Sequence, residues 1–286
     1  MAPFAFTVAG ATSAAEFCEF VRSFGDDTEL SVWQRISAAF NALHRVIDED
    51  GRPRLEATIR ALAAPALHRM GASSPPDERA VERQRRATLF ELLGTIGADE
   101  DVRARARTIH DAYVDDPDSV VPELAAAAVS VIADSGTPEE FRSFVDLWHK
   151  AHNPQVELRY LYALPRFHHE DTFNEVLDLS LTEVRTQNAP FLLARALSNR
   201  THGKIAWDFV RRNWTTLLER FPSSTIVRMA EGVRWLTDVA PDVEGFFSEH
   251  PVPQGAKTMD QHLERLRVNV ALREREHEAL ARAFMS

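Results

Sequence analysis

Eleven histidines and one cysteine are the residues most able to do chemistry in this 286-residue chain. A zinc peptidase of the gluzincin kind needs two histidines at i and i+4 on one helix, with a glutamate beside the first. His169-Glu170 opens that pattern, and so does His277-Glu278, but Phe173 and Ala281 stand where the second histidine belongs. His149 and His152 are three apart, within reach of one metal on a helix, but no carboxylate or third histidine follows at a usual spacing. They are expected to be surface or boundary residues. Cys18 has no sequence feature that would activate it, so a buried structural thiol is expected. The chain has no G-x-S-x-G elbow, no P-loop and no G-x-G-x-x-G turn. The carboxylate pairs Asp26-Asp27 and Asp115-Asp116 stand at turn or cap positions, where a carboxylate accepts backbone N–H bonds. No catalytic residue and no metal ligand set is expected in this chain.

Two stretches remain, from Leu158 to Phe167 and from Ser198 to Trp214. Ala206, Phe209, Val210, Trp214 and Leu217 fall on one helical face, so the tryptophans of the second stretch are expected in the core. Asn199 and Gly203 suit the tight turn between paired helices. Arg159, Arg200 and Lys204 are the candidate ligand-binding residues: basic side chains of inner helices that reach a concave surface. The plainer alternative pairs Arg159 with an acid on a neighbouring helix and leaves Arg200 and Lys204 as solvated turn residues.

The elements that carry these residues are helices. Apolar residues recur at helical spacing in Val32, Ile36, Ala39, Phe40, Leu43 and Ile47, then in Leu89, Leu92, Leu93 and Ile96. Further stripes run through Val102, Ala106, Ile109 and Tyr113, through Leu124, Ala127, Ala128, Val131 and Ile132, and through Phe141, Phe144, Val145 and Trp148. Only Phe4, Phe6 and Val8 alternate like a strand, so any strand is confined to the N-terminus. Thr137-Pro138-Glu139-Glu140 reads as an N-cap, a proline at the first helical position and a capping-box acid, with Gly136 before it as a left-handed C-terminal cap. Ser73-Ser74-Pro75-Pro76 reads as a loop. Helix pairs are expected to start near residues 120, 153, 188 and 223, a period of about 33 to 35 residues, as in helix–turn–helix repeats. The expected fold is therefore all-α, an α-α superhelix of stacked helix pairs over residues 1–286 as one domain, with inner helices lining a concave face. From Thr258 onward, Met259, Leu263, Leu266, Val270 and Leu280 share one side of a long, charge-rich helix expected to cap the stack.

Composition limits the partners. The formal charge is −10 and the isoelectric point near 5.6, against the basic excess that phosphate neutralisation requires, so no nucleic acid is expected. The arginines at 83, 85 and 86 and at 103, 105 and 107 sit among acids or on helix faces expected to be exposed. No stretch approaches the roughly 18 apolar residues of a membrane span. The first residues lack the basic and apolar regions of a secretory signal, and a single cysteine suits a reducing compartment. A cytoplasmic protein without a membrane partner is expected.

From Arg86 to about Phe247, and on through residue 286, the sequence resembles the C-terminal domain of the puromycin-sensitive and endoplasmic-reticulum aminopeptidases. The likeness rests on Leu92-Leu93-Gly94 with Asp99, on Leu158, Arg159, Leu161, Ala163, Leu164 and Phe167, and on the run from Val176 to Leu181. It continues with Val184, Arg185, Gln187, Ala189 and Pro190, then Asn199, Gly203, Ala206, Trp207, Phe209, Arg212, Asn213 and Trp214. Phe246-Phe247 with His250-Pro251, and Gln261, Leu263, Glu264 and Asn269, close it. The first 80 or so residues follow the family more loosely. The resemblance implies an α-helical solenoid that arches over the active site of a zinc aminopeptidase and encloses its peptide cavity. It implies that zinc and the catalytic residues belong to another domain of the same polypeptide, which would be this chain's partner together with the peptide substrate. The chain alone is then inactive. The competing class is a free-standing helical-repeat module that binds a peptide or protein without catalysis.

Overall fold

The computed structural model describes residues 3–71, 74–75 and 77–283, with side chains from residue 4 to residue 277. The described residues contain helices, 3-10 turns and loops and no strand, so the chain is all-α, as its periodicity predicts, and of the α-α superhelix class. The residues divide into two compact units, 1–135 with 272–286, and 136–271.

The first unit begins with α1 (Pro3–Val8), α2 (Ala14–Arg22), α3 (Leu30–Val46) and α4 (Arg52–Arg69). It continues with α5 (Ala80–Gly94), α6 (Glu100–Asp115) and α7 (Pro122–Ser135). The strand-like alternation at the N-terminus is overturned: Phe4, Phe6 and Val8 lie in α1. Six residues are too few for periodicity to decide, and tertiary contact decides instead, since the Phe4 ring packs on Phe17 of α2 at 5.1 Å. The α3 stripe is buried from Ile36 to Ile47, together with Trp33, whose indole N–H donates to the carbonyl of Asp27 at 2.9 Å. The alanine-rich α7 is apolar on nearly every side and is buried accordingly against α5 and α6. Gly94 makes the close approach possible: a Cβ there would stand 2.6 Å from both γ-carbons of Val131.

Arginines close helix ends throughout this unit. A helix leaves its last four carbonyls without intrahelical partners, at the negative end of its dipole. Arg103 donates to Gly94 O at 3.0 Å, Arg60 to Gly97 O just beyond α5, Arg69 to Gly25 O beyond α2, and Arg107 to Ser135 O at the end of α7. Arg85 donates to Thr28 O, and Arg83 to Glu78 O at 2.6 Å. Arg86 departs from the expectation of an exposed face. It is 1% exposed and donates to Met70 O and Gly71 O, each at 2.7 Å, and to the carboxylate of buried Glu78 at 2.7 Å. The guanidinium is tolerated there because it finds both an ion pair and helix-end carbonyls. Of the loop expected at residues 73–76, Ser73 and Pro76 lie outside the described residues; Ser74 and Pro75 are non-helical.

The second unit holds α8 (Pro138–His149), α9 (Pro154–Leu161), α10 (Glu170–Thr182) and α11 (Ala189–Leu197). Then follow α12 (Gly203–Arg212), α13 (Trp214–Arg220), α14 (Ser223–Met229), α15 (Ala240–Glu249) and most of α16 (Ala256–Ala283). The starts of α7, α9, α11 and α14 fall at the four expected positions. Thr137 caps α8 with Glu140 in a reciprocal capping box, and Pro138 takes the first helical position. Gly136 is not a left-handed cap: the glycines with positive φ are Gly10 and Gly71, and a two-residue connection leads straight into the extended Thr137. Phe141, Phe144, Tyr160 and Phe167 meet edge to face at 5.2 to 5.5 Å and lock α8 onto α9 and the turn after it. The buried face of α11 packs against α10, α12, α14 and the 3-10 turn at Ala230–Trp235. In α16, Met259 and Leu266 are buried, Leu263 and Val270 half-buried, and Leu280 lies outside the described side chains.

Candidate functional site

The candidate residues all fall in the second unit, on elements whose starts the sequence dictates. Asn153 caps α9 by accepting from Val156 N at 2.9 Å, and Pro154 opens the helix, which carries Arg159 half-buried into its last turn. Arg200 is exposed in the turn between α11 and α12. Asn199 builds that turn, as expected. Its Oδ1 accepts from Thr201 N and His202 N, each at 2.8 Å, and its Nδ2 donates to Pro165 O at 2.8 Å. Two family-like stretches are thereby stitched together through one side chain. His202 is buried in the same seam, its Nε2 2.7 Å from His168 O. Lys204 stands in the first turn of α12 and donates to Asp208 at 2.8 Å, an exposed i,i+4 pair. The three candidates thus sit on three different elements.

Trp207 and Trp214 are core residues, as their helical face predicts. The Trp207 indole N–H donates to Asp242 at 2.6 Å, and Arg211 donates to the same oxygen at 2.5 Å. The Trp207 bond, with the Arg211 bond and charge, outweighs desolvation and holds the Asp242 carboxyl below its usual value. Phe246 and Phe247 pack on both tryptophans with centroids 5.2 to 5.8 Å apart.

A second group of basic side chains in this unit has no counterpart among the expected residues. The Arg195 guanidinium lies 4.0 Å from the centroid of the Tyr162 ring, and its Nη1 donates to Phe191 O at 3.1 Å. Burial and the nearby charge of Arg166 disfavour its cation, while Glu231 favours it. Burial also pushes the Tyr162 hydroxyl up. Arg195 was hidden in the sequence because its partner lies 33 positions earlier, on another helix pair; only its place one turn before Asn199 marked it.

Metal ligation gains no support from the histidines singled out. His149 pairs with Glu183 at 3.0 Å, and His152 is exposed. Among the described residues, no group of three or more His, Cys, Asp and Glu could hold a metal ion. Cys18 is buried, and burial pushes its thiol up to about 12. Among the described residues, no helix is long and apolar enough to cross a membrane.

An all-α chain of helix pairs, with its aromatics in the core and basic side chains at helix ends and turns, defines a helical scaffold. Residues 2–268 match the model of the ERAP1-like C-terminal domain, and the chain belongs to that family. The match includes the first 80 residues, where the sequence motifs are sparse. Aminopeptidase M1-A of rice (Oryza sativa subsp. japonica) is 23% identical over 283 residues, covering 93% of this chain and 31% of that protein. Aminopeptidase M1-B of rice is 22% identical over 280 residues, with 93% and 32% covered. Human endoplasmic reticulum aminopeptidase 2 is 41% identical over 64 residues, 21% of this chain and 7% of that protein. The chain spans about a third of the length of the rice relatives it matches.

Proposed function

We propose that this chain is the C-terminal helical part of a zinc-dependent aminopeptidase, a single helical-repeat domain that covers the active site and bounds the cavity receiving the peptide. The match over residues 2–268, in a chain one third as long as its rice relatives, carries this reading. The zinc and its chemistry would belong to the preceding domain of the same polypeptide, a reading that rests on the family match, and the described residues here do not fit a zinc site. Three protein ligands around an open position are needed, and the His149–Glu183 pair offers two exposed groups. Arg159, Arg200 and Lys204 would then serve the far end of a peptide, whose free carboxylate a guanidinium binds bidentately. Lys204 is paired with Asp208, and Arg195 and Arg166 add basic character to the same unit. A single buried cysteine suits a reducing, cytoplasmic setting.

The chain alone, with or without added zinc, is expected to leave aminoacyl reporter substrates intact. Steady turnover abolished by a chelator would overturn the reading. In the complete polypeptide, charge reversal at Arg159 or Arg200 is expected to raise KM for peptides and to spare a single-residue reporter. Equal effects on both substrates, or none, remove these residues from the site.

A further inference from the structure

The last described turns of α16 lie against the start of the chain. Leu272 is buried, and Glu276, 5% exposed, accepts a hydrogen bond from the backbone N–H of Ala14 at 2.9 Å. Ala14 is the first residue of α2, so this N–H is one that the helix cannot satisfy itself. Ser13 and Glu16 satisfy others at the same end through a reciprocal capping box. The neighbouring Arg275 serves the end of α1. Its Nη2 donates to Thr7 O at 3.2 Å and Val8 O at 2.8 Å. The same guanidinium rests against Gly10, where the backbone is left-handed at φ +77° and a Cβ would stand 3.1 Å from Arg275 Nε. Two adjacent residues thus place a cation on the carbonyl end of one helix and a carboxylate on the amide end of the next, each the sign that end favours.

Neither helix holds itself. α1 has six residues and α2 nine, below the about 12 to 15 that an isolated helix needs. Apolar packing of Phe17 on Phe40, at 6.2 Å, holds α2 toward α3, but this contact supplies no partner for the Ala14 amide or for the carbonyls of Thr7 and Val8, of which Thr7 O also accepts from Gly10 N at 3.0 Å. Their side-chain partners arrive 262 to 268 positions later in the chain.

We propose that residues 272–277 form a strap: α1 and α2 stay docked only while the end of α16 is seated on them. The N-terminal edge of the first unit therefore orders after the C-terminal helix is made, and loss of that helix end releases the edge while the second unit stays folded.

The test is hydrogen exchange by mass spectrometry on the whole chain, on Glu276→Ala and Arg275→Ala, and on a chain ending at Ala271. Amides of residues 3–22 are expected to exchange at least about tenfold faster in each altered protein, as the loss of one hydrogen bond to a charged group implies. Amides of residues 189–229 are expected to exchange as in the unaltered chain. Unchanged exchange over residues 3–22 overturns the proposal. Equal acceleration in both segments also overturns it, since the contacts would then support the whole fold rather than one edge. Should the shortened chain fail to fold, the two point variants decide the matter.

Discussion

Removing the Glu78 carboxylate is the most searching test of how the first unit is held together. Arg86 is 1% exposed, and its guanidinium is held by Glu78 at 2.7 Å and by two carbonyls at the end of α4. Glu78→Ala leaves a buried cation with carbonyl dipoles alone. Breaking a buried pair in this way costs about 3–5 kcal/mol, a large share of the roughly 5–15 kcal/mol that holds a domain folded. Arg86→Met is expected to cost less than Glu78→Ala, because Glu78 retains its bond from Ser74. The double variant Glu78→Ala with Arg86→Met is expected to cost about 1–3 kcal/mol less than the sum of the single changes, since it strands no charge. Urea unfolding followed by far-ultraviolet circular dichroism, with hydrogen exchange over residues 52–94, measures these costs. The pH dependence has a definite sign. Burial raises the Glu78 carboxyl, but the bonds from Arg86 and Ser74 and the Arg86 charge outweigh it, so the folded value lies below the usual one near 4.5. The pair's contribution is complete above about pH 4.5 and is lost as the pH falls through the folded value. The reasoning is refuted if Glu78→Ala costs under about 1 kcal/mol, or if the two single changes add without coupling.

Three further outcomes are expected. Gly94→Ala forces a methyl group against Val131, and should lower stability by about 1–3 kcal/mol in thermal melts, with partial recovery in the Val131→Ala background. Asp242→Ala strands the buried Trp207 N–H and should cost about 1–3 kcal/mol. The wild-type margin from Asp242 is present above its unfolded value and lost as the pH falls below about 4, which acid titration of the Trp207 fluorescence reads. Cys18, with its thiol pushed up to about 12, should resist disulfide reagents at pH 8 and react only at the rate of unfolding.

The helices were legible because burial imposes a 3.6-residue period on every long element, and the Thr137 capping box because its partners lie three residues apart. The i,i+4 pairing of Lys204 with Asp208 could be read from spacing alone. Interactions made across helix pairs could not. Nothing in the local sequence of Arg86 announces that Met70, Gly71 and Glu78 will enclose it. The same holds for Arg195 over Tyr162, which joins α11 to the turn after α9, and for Glu276, whose acceptor role depends on a residue 262 positions away. The sixth residue of α1 ends that helix before any period can separate it from a strand. The candidate residues were named from the stretches that carry them, while contacts made across helix pairs awaited the fold.

The preference for guanidinium at helix ends has a practical outcome for anyone labelling the molecule. Of 33 basic residues only three are lysines, Lys150, Lys204 and Lys257, and all three fall within residues 136–271. The lysine side chains open to cross-linkers, biotin esters or surface-coupling chemistries therefore lie in the second unit, and the first carries none. Dicarbonyl reagents specific for arginine give the complementary view. The guanidiniums of Arg60, Arg86, Arg103 and Arg107 are occupied by carbonyls while the helix ends are intact, so their modification would chart, residue by residue, the order in which those ends come apart.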